Sequence, residues 1–336
     1  MVRTDDGREL SLTSEPERDS AITLADGRRL AWAEWGGTAG RPLMLFQGMP
    51  GSSRYCPDAE ATHALGVRLI SVDRPGYGES DSKPGRTLLD WADDYRELLD
   101  ALEILSAPIV GWSSGVAFAM ACAVRLPDRA PALALVAGDG PINDVPGAWD
   151  DLPPERHRII EELRADPSAG RVAALERGRW YAEDPIAILG GEAAAPGAGV
   201  AQAGGAPESA DATANPDAAA NLDPAAVDDP DAAIRSLPIG WAALAGMFRH
   251  GALHGAEGWV DDTISTLLPW GFSPTDVRCR ATVWYRAKDQ LAARRDSDYL
   301  ARLIPSSRLV IEPDDGHMLP VRHWRAIVTD LIGAAA

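Results

Sequence analysis

Gly111-Trp112-Ser113-Ser114-Gly115 is the segment of this chain with the clearest chemical potential. It stands between the apolar run Pro108–Val110 and the apolar stretch VAFAMACAV, so a strand passes into a helix through a turn whose serine has only small neighbours two residues away. A turn of that kind strains the central residue and projects its side chain from the C-terminal edge of a sheet. A serine hydroxyl is a poor nucleophile at neutral pH until a base takes its proton, and the base needs a carboxylate to orient it. Both follow along the chain. Asp289 lies in WYRAKDQL just past the apolar run Ala281–Tyr285, and His317 lies in EPDDGHMLP just past Arg308–Ile311. Asp314 and Asp315 are inferior acids, because they precede His317 too closely to reach its far ring nitrogen. The order Ser113, Asp289, His317 predicts nucleophile, acid and base for acyl transfer.

The oxygen that becomes charged during attack needs donors aimed at it. Phe46-Gln47-Gly48-Met49-Pro50-Gly51 follows the apolar run Leu43–Phe46, and a turn there presents the Met49 N–H, with the Ser114 N–H as second donor. A second turn, Asp73 to Ser80 (DRPGYGES), follows Val67–Val72 and is assigned to packing.

These residues require a sheet with its strand ends on one side. ITLADGRRLAWAEW reads as a hairpin around Asp26-Gly27, since a two-residue turn wants positive φ angles. Buried strands are expected at Leu43–Phe46, Val67–Val72, Pro108–Val110 and Ala132–Ala137, and further strands at Ala281–Tyr285 and Arg308–Ile311. Between them Leu88, Ala92, Tyr95, Leu99 and Leu102 recur at helical spacing behind a Thr87 cap, and further helices are expected around Asp296–Ile304 and from about His323. Strands alternating with helices imply a mostly parallel sheet. The alternation lapses over 141–270, which reads as a helical lid, leaving a polar leader at 1–20 and core portions at 21–140 and 271–336. Within the lid, 191–233 is almost wholly Ala, Gly, Pro and Asp, with eight acidic residues and no basic ones, and is expected to be a disordered, solvated insert.

Composition removes other classes. The 336 residues carry a formal charge of −18, which repels phosphate backbones and anionic lipid, so no nucleic-acid or membrane partner is expected. Ile104 to Val124 has no charged residue and the length of a membrane span, but Pro108, Gly111, Gly115 and its serines mark strand, turn and helix instead. Three cysteines without CxxC spacing argue against a disulfide framework or zinc site, and the polar N-terminus against a secretory signal, so a cytoplasmic location is expected. His250 and His254 lie four apart without the glutamate of a zinc-protease helix, and no Gly-x-Gly-x-x-Gly follows a strand; neither metal nor dinucleotide is expected.

Taken together, QGMPGSSRY, DRPGYGES, GRTLLDWADD, GWSSG, PWGFSPTDV and DGHM resemble the lidded α/β-hydrolase family of the serine type, over roughly residues 22–140 and 267–333. The resemblance implies an eight-stranded, mostly parallel sheet with helices on both faces, a Ser113–His317–Asp289 triad and no cofactor. Two departures stand out: the family usually has histidine where Gln47 stands, and Arg286 and Lys288 flank the acid, where they could draw Asp289 into a surface ion pair. Serine at the turn argues against chemistry that needs a carboxylate nucleophile. Hydrolysis of a small or medium apolar carboxylic ester is therefore the expected reaction. Amide, peptide or carbon–carbon hydrolysis, a perhydrolase reaction, and a non-catalytic ligand-binding role remain alternatives. Trp149, Trp180, Trp241, Trp259 and Trp270 fall in the lid; Trp112, Trp180 and Trp241 are expected on an apolar substrate wall, the alternative being that the lid tryptophans fill the lid's own interior.

Overall fold

Strands covered on both faces must be apolar at every position, and the middle of this chain supplies several such runs. The structure, a computed structural model, describes residues 2–152, 154–189, 230–289 and 291–333. Its eight strands are β1 (Arg18–Thr23), β2 (Arg29–Trp35), β3 (Arg41–Phe46), β4 (Val67–Val72), β5 (Ile109–Trp112), β6 (Ala132–Val136), β7 (Arg280–Arg286) and β8 (Ser307–Glu312). They form one sheet in the order β1-β2-β4-β3-β5-β6-β7-β8. The β1–β2 and β2–β4 pairs are antiparallel, and every pairing from β4 through β3, β5, β6 and β7 to β8 is parallel. The C-terminal ends of β5, β6, β7 and β8 therefore share one edge of the sheet.

Helices cover both faces. On one, the helix Leu88–Ala101 opens with a reciprocal Thr87/Asp90 capping box and buries Leu88, Trp91, Ala92, Tyr95, Leu98 and Leu99. Trp91 and Tyr95 meet Phe46 of β3 edge-on, with ring centroids 5.2 and 5.6 Å apart. The charge-free stretch Ile104–Val124 resolves into β5, a turn and the buried helix Gly115–Arg125. No helix among the described residues is long and apolar enough to cross a membrane.

Local expectations are adjusted in four places. The β1–β2 loop spans Leu24–Arg28, closed by a 2.8 Å bond from the Leu24 N–H to the Arg28 carbonyl, and only Gly27 takes positive φ, at +89°. The polar leader is anchored by its few apolar residues, since Leu10 and Leu12 are buried and Thr13 bridges to Cys56. The last helix begins at Leu319, with non-helical dihedrals at His323. Most of the segment expected to be a solvated insert lies outside the described residues, but its end does not: Pro230–Arg235 is a helix that buries Asp231 and Ile234.

The inserted lid helices Pro154–Ala165, Pro167–Arg177, Arg179–Glu183, Pro230–Arg235, Pro238–Gly251 and Glu257–Leu267 lie between β6 and β7 in the chain. Two buried aspartates of the last of these reach down to arginines of the core: Asp262 pairs with Arg74 at 2.6 Å and Arg86 at 2.5 Å, while Asp261 lies 3.5 Å from Arg86. Within the lid, Asp261 pairs with Arg171 at 2.6 Å.

Candidate active site

Ser113 sits where β5 gives way to the helix Gly115–Arg125, at φ +56°, a left-handed conformation that costs a non-glycine residue on the order of 1–3 kcal/mol and needs its surroundings to enforce it. Glycines let those surroundings close in. A Cβ on Gly111 would lie 2.6 Å from the Gly115 carbonyl oxygen, one on Gly115 would collide with the Phe46 carbonyl, and one on Gly48 would lie 2.8 Å from Ser113 Cβ. The small residues around the serine thus answer to backbone contacts between β3, β5 and the helix. Ser113 is partly accessible.

The turn after β3 brings Met49 to the same place. Arg74 braces it, with Nη1 donating to the Gln47 carbonyl at 2.6 Å and Nη2 to the Gly48 carbonyl at 3.2 Å. The turn DRPGYGES, assigned to packing from the sequence, thus supplies a buried cation that shapes the Gln47–Met49 backbone and ties it to Asp262 of the lid. Gln47, at the family's histidine position, donates from Nε2 to Ser71 Oγ within the core. Among the described residues the N–H groups of Met49 and Ser114 donate no hydrogen bond.

Asp289 and His317 follow β7 and β8. The ring Nδ1 of His317 lies 3.3 Å from both carboxylate oxygens of Asp289, whose side chain is fully buried. Arg286, also fully buried, forms an ion pair with Asp289, donates from Nη1 to the His317 carbonyl at 2.9 Å, and comes within 3.5 Å of Nδ1 with Nη2. The sequence raised a surface pair between Asp289 and its flanking cations. The pair with Arg286 is instead interior, where it holds the carboxylate against the histidine loop, and Lys288 reaches Asp314 at 3.3 Å. Burial, then the Arg286 charge, pushes the His317 pKa down to about 3, so its ring is neutral at physiological pH. Asp315, one of the inferior acids, instead accepts from His323 Nε2 at 2.5 Å, on the far side of the loop.

Two further residues fix that loop. Trp112 Nε1 donates to the His317 carbonyl at 2.9 Å, and its ring stacks on Tyr55 with centroids 5.2 Å apart. Asp231, from the lid, accepts the backbone N–H groups of His317 and Met318 at 2.5 and 2.9 Å. Nothing in the sequence marked Asp231, since it closes a stretch whose composition resembles a solvated linker.

Two cavities flank Ser113 and Ser114. The first, about 150 Å³, is lined by Trp112, Ser113 and His317 with an apolar wall that includes Leu189, Leu244, Met247, Phe248 and Met318. The second, about 380 Å³, is lined by Met49, which borders the first as well, and by Ser114, Asp139, Arg156, Trp270 and Asp296 among others. Trp112 is on the apolar wall. Trp180 and Trp241 are on neither: Trp180 packs edge-on against Trp259 at 5.7 Å, and Trp241 lies under Arg249, 5.4 Å from its guanidinium carbon. Both rings satisfy the lid's own interior, so aliphatic residues and Phe248 provide the wall those tryptophans were expected to form.

His250 faces Asp73 at 3.8 Å, with no partner for the metal pairing that its spacing to His254 could have suggested. The described residues that could share a cation are instead Glu312, Asp315 and His323, but the two ring nitrogens of His323 lie on Asp315 at 2.5 Å and Asp5 at 3.2 Å, the arrangement of a charged imidazolium among carboxylates.

Comparison with known proteins bears on this architecture. Residues 41–176 match the family model of the α/β-hydrolase fold. A hydrolase from Pseudomonas aeruginosa PA01 superposes over 95% of this chain and 100% of its own, with a TM-score of 0.64 at 20% identity. The chain has the α/β-hydrolase fold. A thermophilic esterase from Thermogutta terrifontis is also similar to this α/β-hydrolase fold, with a TM-score of 0.61 and 22% identity over 95% of this chain and 100% of that one. In sequence, a 2-hydroxy-6-oxononadienedioate/2-hydroxy-6-oxononatrienedioate hydrolase of Burkholderia vietnamiensis is 34% identical over 141 residues, 39% of this chain and 47% of that protein. The dihydrolipoyllysine-residue acetyltransferase component of the acetoin cleaving system of Pseudomonas putida is 36% identical over 115 residues, 34% of this chain and 31% of that one. The chain thus spans less than half the length of these two curated relatives.

Proposed function

We propose that the protein is a serine hydrolase that cleaves a carboxylic ester of small or medium apolar character through an acyl-enzyme. The observation that carries this reading is Ser113 at positive φ on the strand end, sharing a cavity with His317, whose Nδ1 faces Asp289. Ser113 attacks the carbonyl carbon and His317 takes its proton. The imidazolium is stabilised by Asp289 and returns the proton to the leaving alcohol, after which water repeats the sequence on the acyl-enzyme. The Met49 and Ser114 amides hold the oxyanion. The esterase fold of Thermogutta terrifontis supports the reaction class only through the shared fold.

The apolar wall gives the reading a substrate preference. Each methylene buried there contributes up to about 0.8 kcal/mol, so specificity rises severalfold per pair of carbons until the 150 Å³ cavity is full. In a p-nitrophenyl series, butyrate or hexanoate should exceed acetate in kcat/KM, and a chelator should leave turnover unchanged. Acetate as the best substrate, or loss of activity with the chelator, contradicts the reading.

A second reading, a ligand-binding protein with a disarmed triad, is favoured by the Arg286 hold on Asp289. Carbon–carbon hydrolysis, named for the Burkholderia vietnamiensis relative, draws on the same residues. Covalent labelling by a fluorophosphonate separates the binding protein from both hydrolases, and the ester series separates the hydrolases from each other.

A further inference from the structure

Asp139 follows β6, the strand beside β5, and opens onto the larger cavity. The residue is solvent-accessible and lines this cavity together with Met49 and Ser114. Among the described residues its carboxylate accepts no hydrogen bond and closes no ion pair. The other acids of the cavity are committed. Asp296 accepts the Gly140 N–H at 3.0 Å, Asp151 pairs with Arg295, and Asp289 pairs with Arg286. Desolvation at the cavity wall and the Asp296 charge push the Asp139 pKa up to about 6, against the opposing charges of Arg156, His317 and Arg286. A carboxylate that lines a cavity beside the proposed oxyanion amides, with no protein donor on it, can take a donor from a ligand seated there.

We infer that this cavity is a second substrate subsite, and that Asp139 receives there a substrate arm ending in a hydrogen-bond donor, a hydroxyl or an ammonium. The inference rests on the hydrolase reading above and extends it. Because Met49 and Ser114 border the cavity, an ester whose carbonyl oxygen sits between their amides has one arm on the apolar wall and the other running toward Asp139. The apolar wall selects the first arm by length. Asp139 selects the second by its terminal group.

The test uses the full-length protein and two matched ester series. One varies the end of the acyl chain, the other the end of the alcohol chain, each through methyl, hydroxyl and ammonium at constant length. In one of the two series the donor-ended ester should exceed its methyl-ended match by about tenfold in kcat/KM, the scale of a hydrogen bond to a carboxylate. Asp139→Asn should collapse that ratio toward one. Arg156→Gln, which removes one opposing cation without touching the acceptor, should raise the ammonium-to-hydroxyl ratio, and it keeps the inference testable if Asp139→Asn fails to fold. Preference for hydroxyl alone supports a hydrogen bond without charge pairing, and preference for ammonium supports both. Equal or better turnover of the methyl-ended esters in both series overturns the inference while leaving the hydrolase reading intact, as does a donor preference that survives Asp139→Asn. Failure of every ester in both series contradicts the hydrolase reading and removes this inference with it.

Discussion

The carboxylate of Asp231, on a lid helix, accepts the main-chain N–H of His317 at 2.5 Å and that of Met318 at 2.9 Å. A residue of the lid therefore holds the backbone of the proposed base, and Gly316 makes room for it, since a Cβ there would lie 2.5 Å from the Asp231 carboxylate. Lid position and histidine position are coupled through one side chain.

From this follows the first expected outcome. Hydrogen bonds to a charged acceptor contribute roughly 1.5–3 kcal/mol, so Asp231→Ala should lower kcat/KM by about one to two powers of ten. Asp231→Asn, which keeps one acceptor oxygen, should fall between. Steady-state kinetics beside thermal unfolding checks this: a loss of stability with kcat unchanged would show that Asp231 only glues the lid.

Arg286 sets the second. With its pKa pushed down to about 3 by burial and then by Arg286, His317 stays neutral in the folded protein where an unfolded histidine, near pH 6.5, would take a proton. The unfolded state binds more protons in that interval, so this contribution to stability is complete above about pH 6.5 and is lost as pH falls toward 3. Activity should accordingly persist well below pH 6. Arg286→Met leaves Asp289 to pair with an imidazolium alone, and the acid limb of the kcat/KM profile should move upward by at least one pH unit. An unmoved limb would mean that burial alone governs the ring.

The third concerns Arg74 and Asp262, a pair with almost no exposure at 2.6 Å. Removing one partner of such a pair costs about 3–5 kcal/mol, because the other charge is stranded. Arg74→Met should lose stability on that scale in urea unfolding and also lower kcat, since the Gln47 and Gly48 carbonyls lose their donor. Asp262→Leu added to Arg74→Met should cost less than the two single changes summed, although Arg86 then loses Asp262 as well.

The contrast between what the residues announced and what they hid has a physical basis. Strands β3 to β7 were legible because a strand covered on both faces is a short apolar run, β8 because Leu309, Val310 and Ile311 are still a short apolar run at the sheet's edge, and the elbow because its glycines answer to contacts that no side chain could survive. Asp289 and His317 could be placed at strand ends for the same reason, and parallel pairing then puts those ends on one edge. The lid tryptophans were ambiguous, because helical spacing gives a direction relative to the helix axis and not to the cavity; Trp180 turned toward Trp259. Asp231 was masked by the composition of the stretch before it, Arg74 by a turn motif that reads as packing, and Asp139 by having no pattern at all beyond a glycine on each side. Asp231 and Arg74 act across long sequence separations, through partners that only the fold brings near, and Asp139 lines a cavity that only the fold assembles.

The central claim is that Ser113 is a nucleophile activated by His317. Incubating the protein with an alkyl fluorophosphonate and mapping the adduct by peptide mass spectrometry tests it most directly. A single label on the peptide containing Ser113, abolished by Ser113→Ala, greatly slowed by His317→Ala and retained in Ser114→Ala, is the expected result. No label under conditions where the protein is folded, or a label that survives Ser113→Ala, would contradict it.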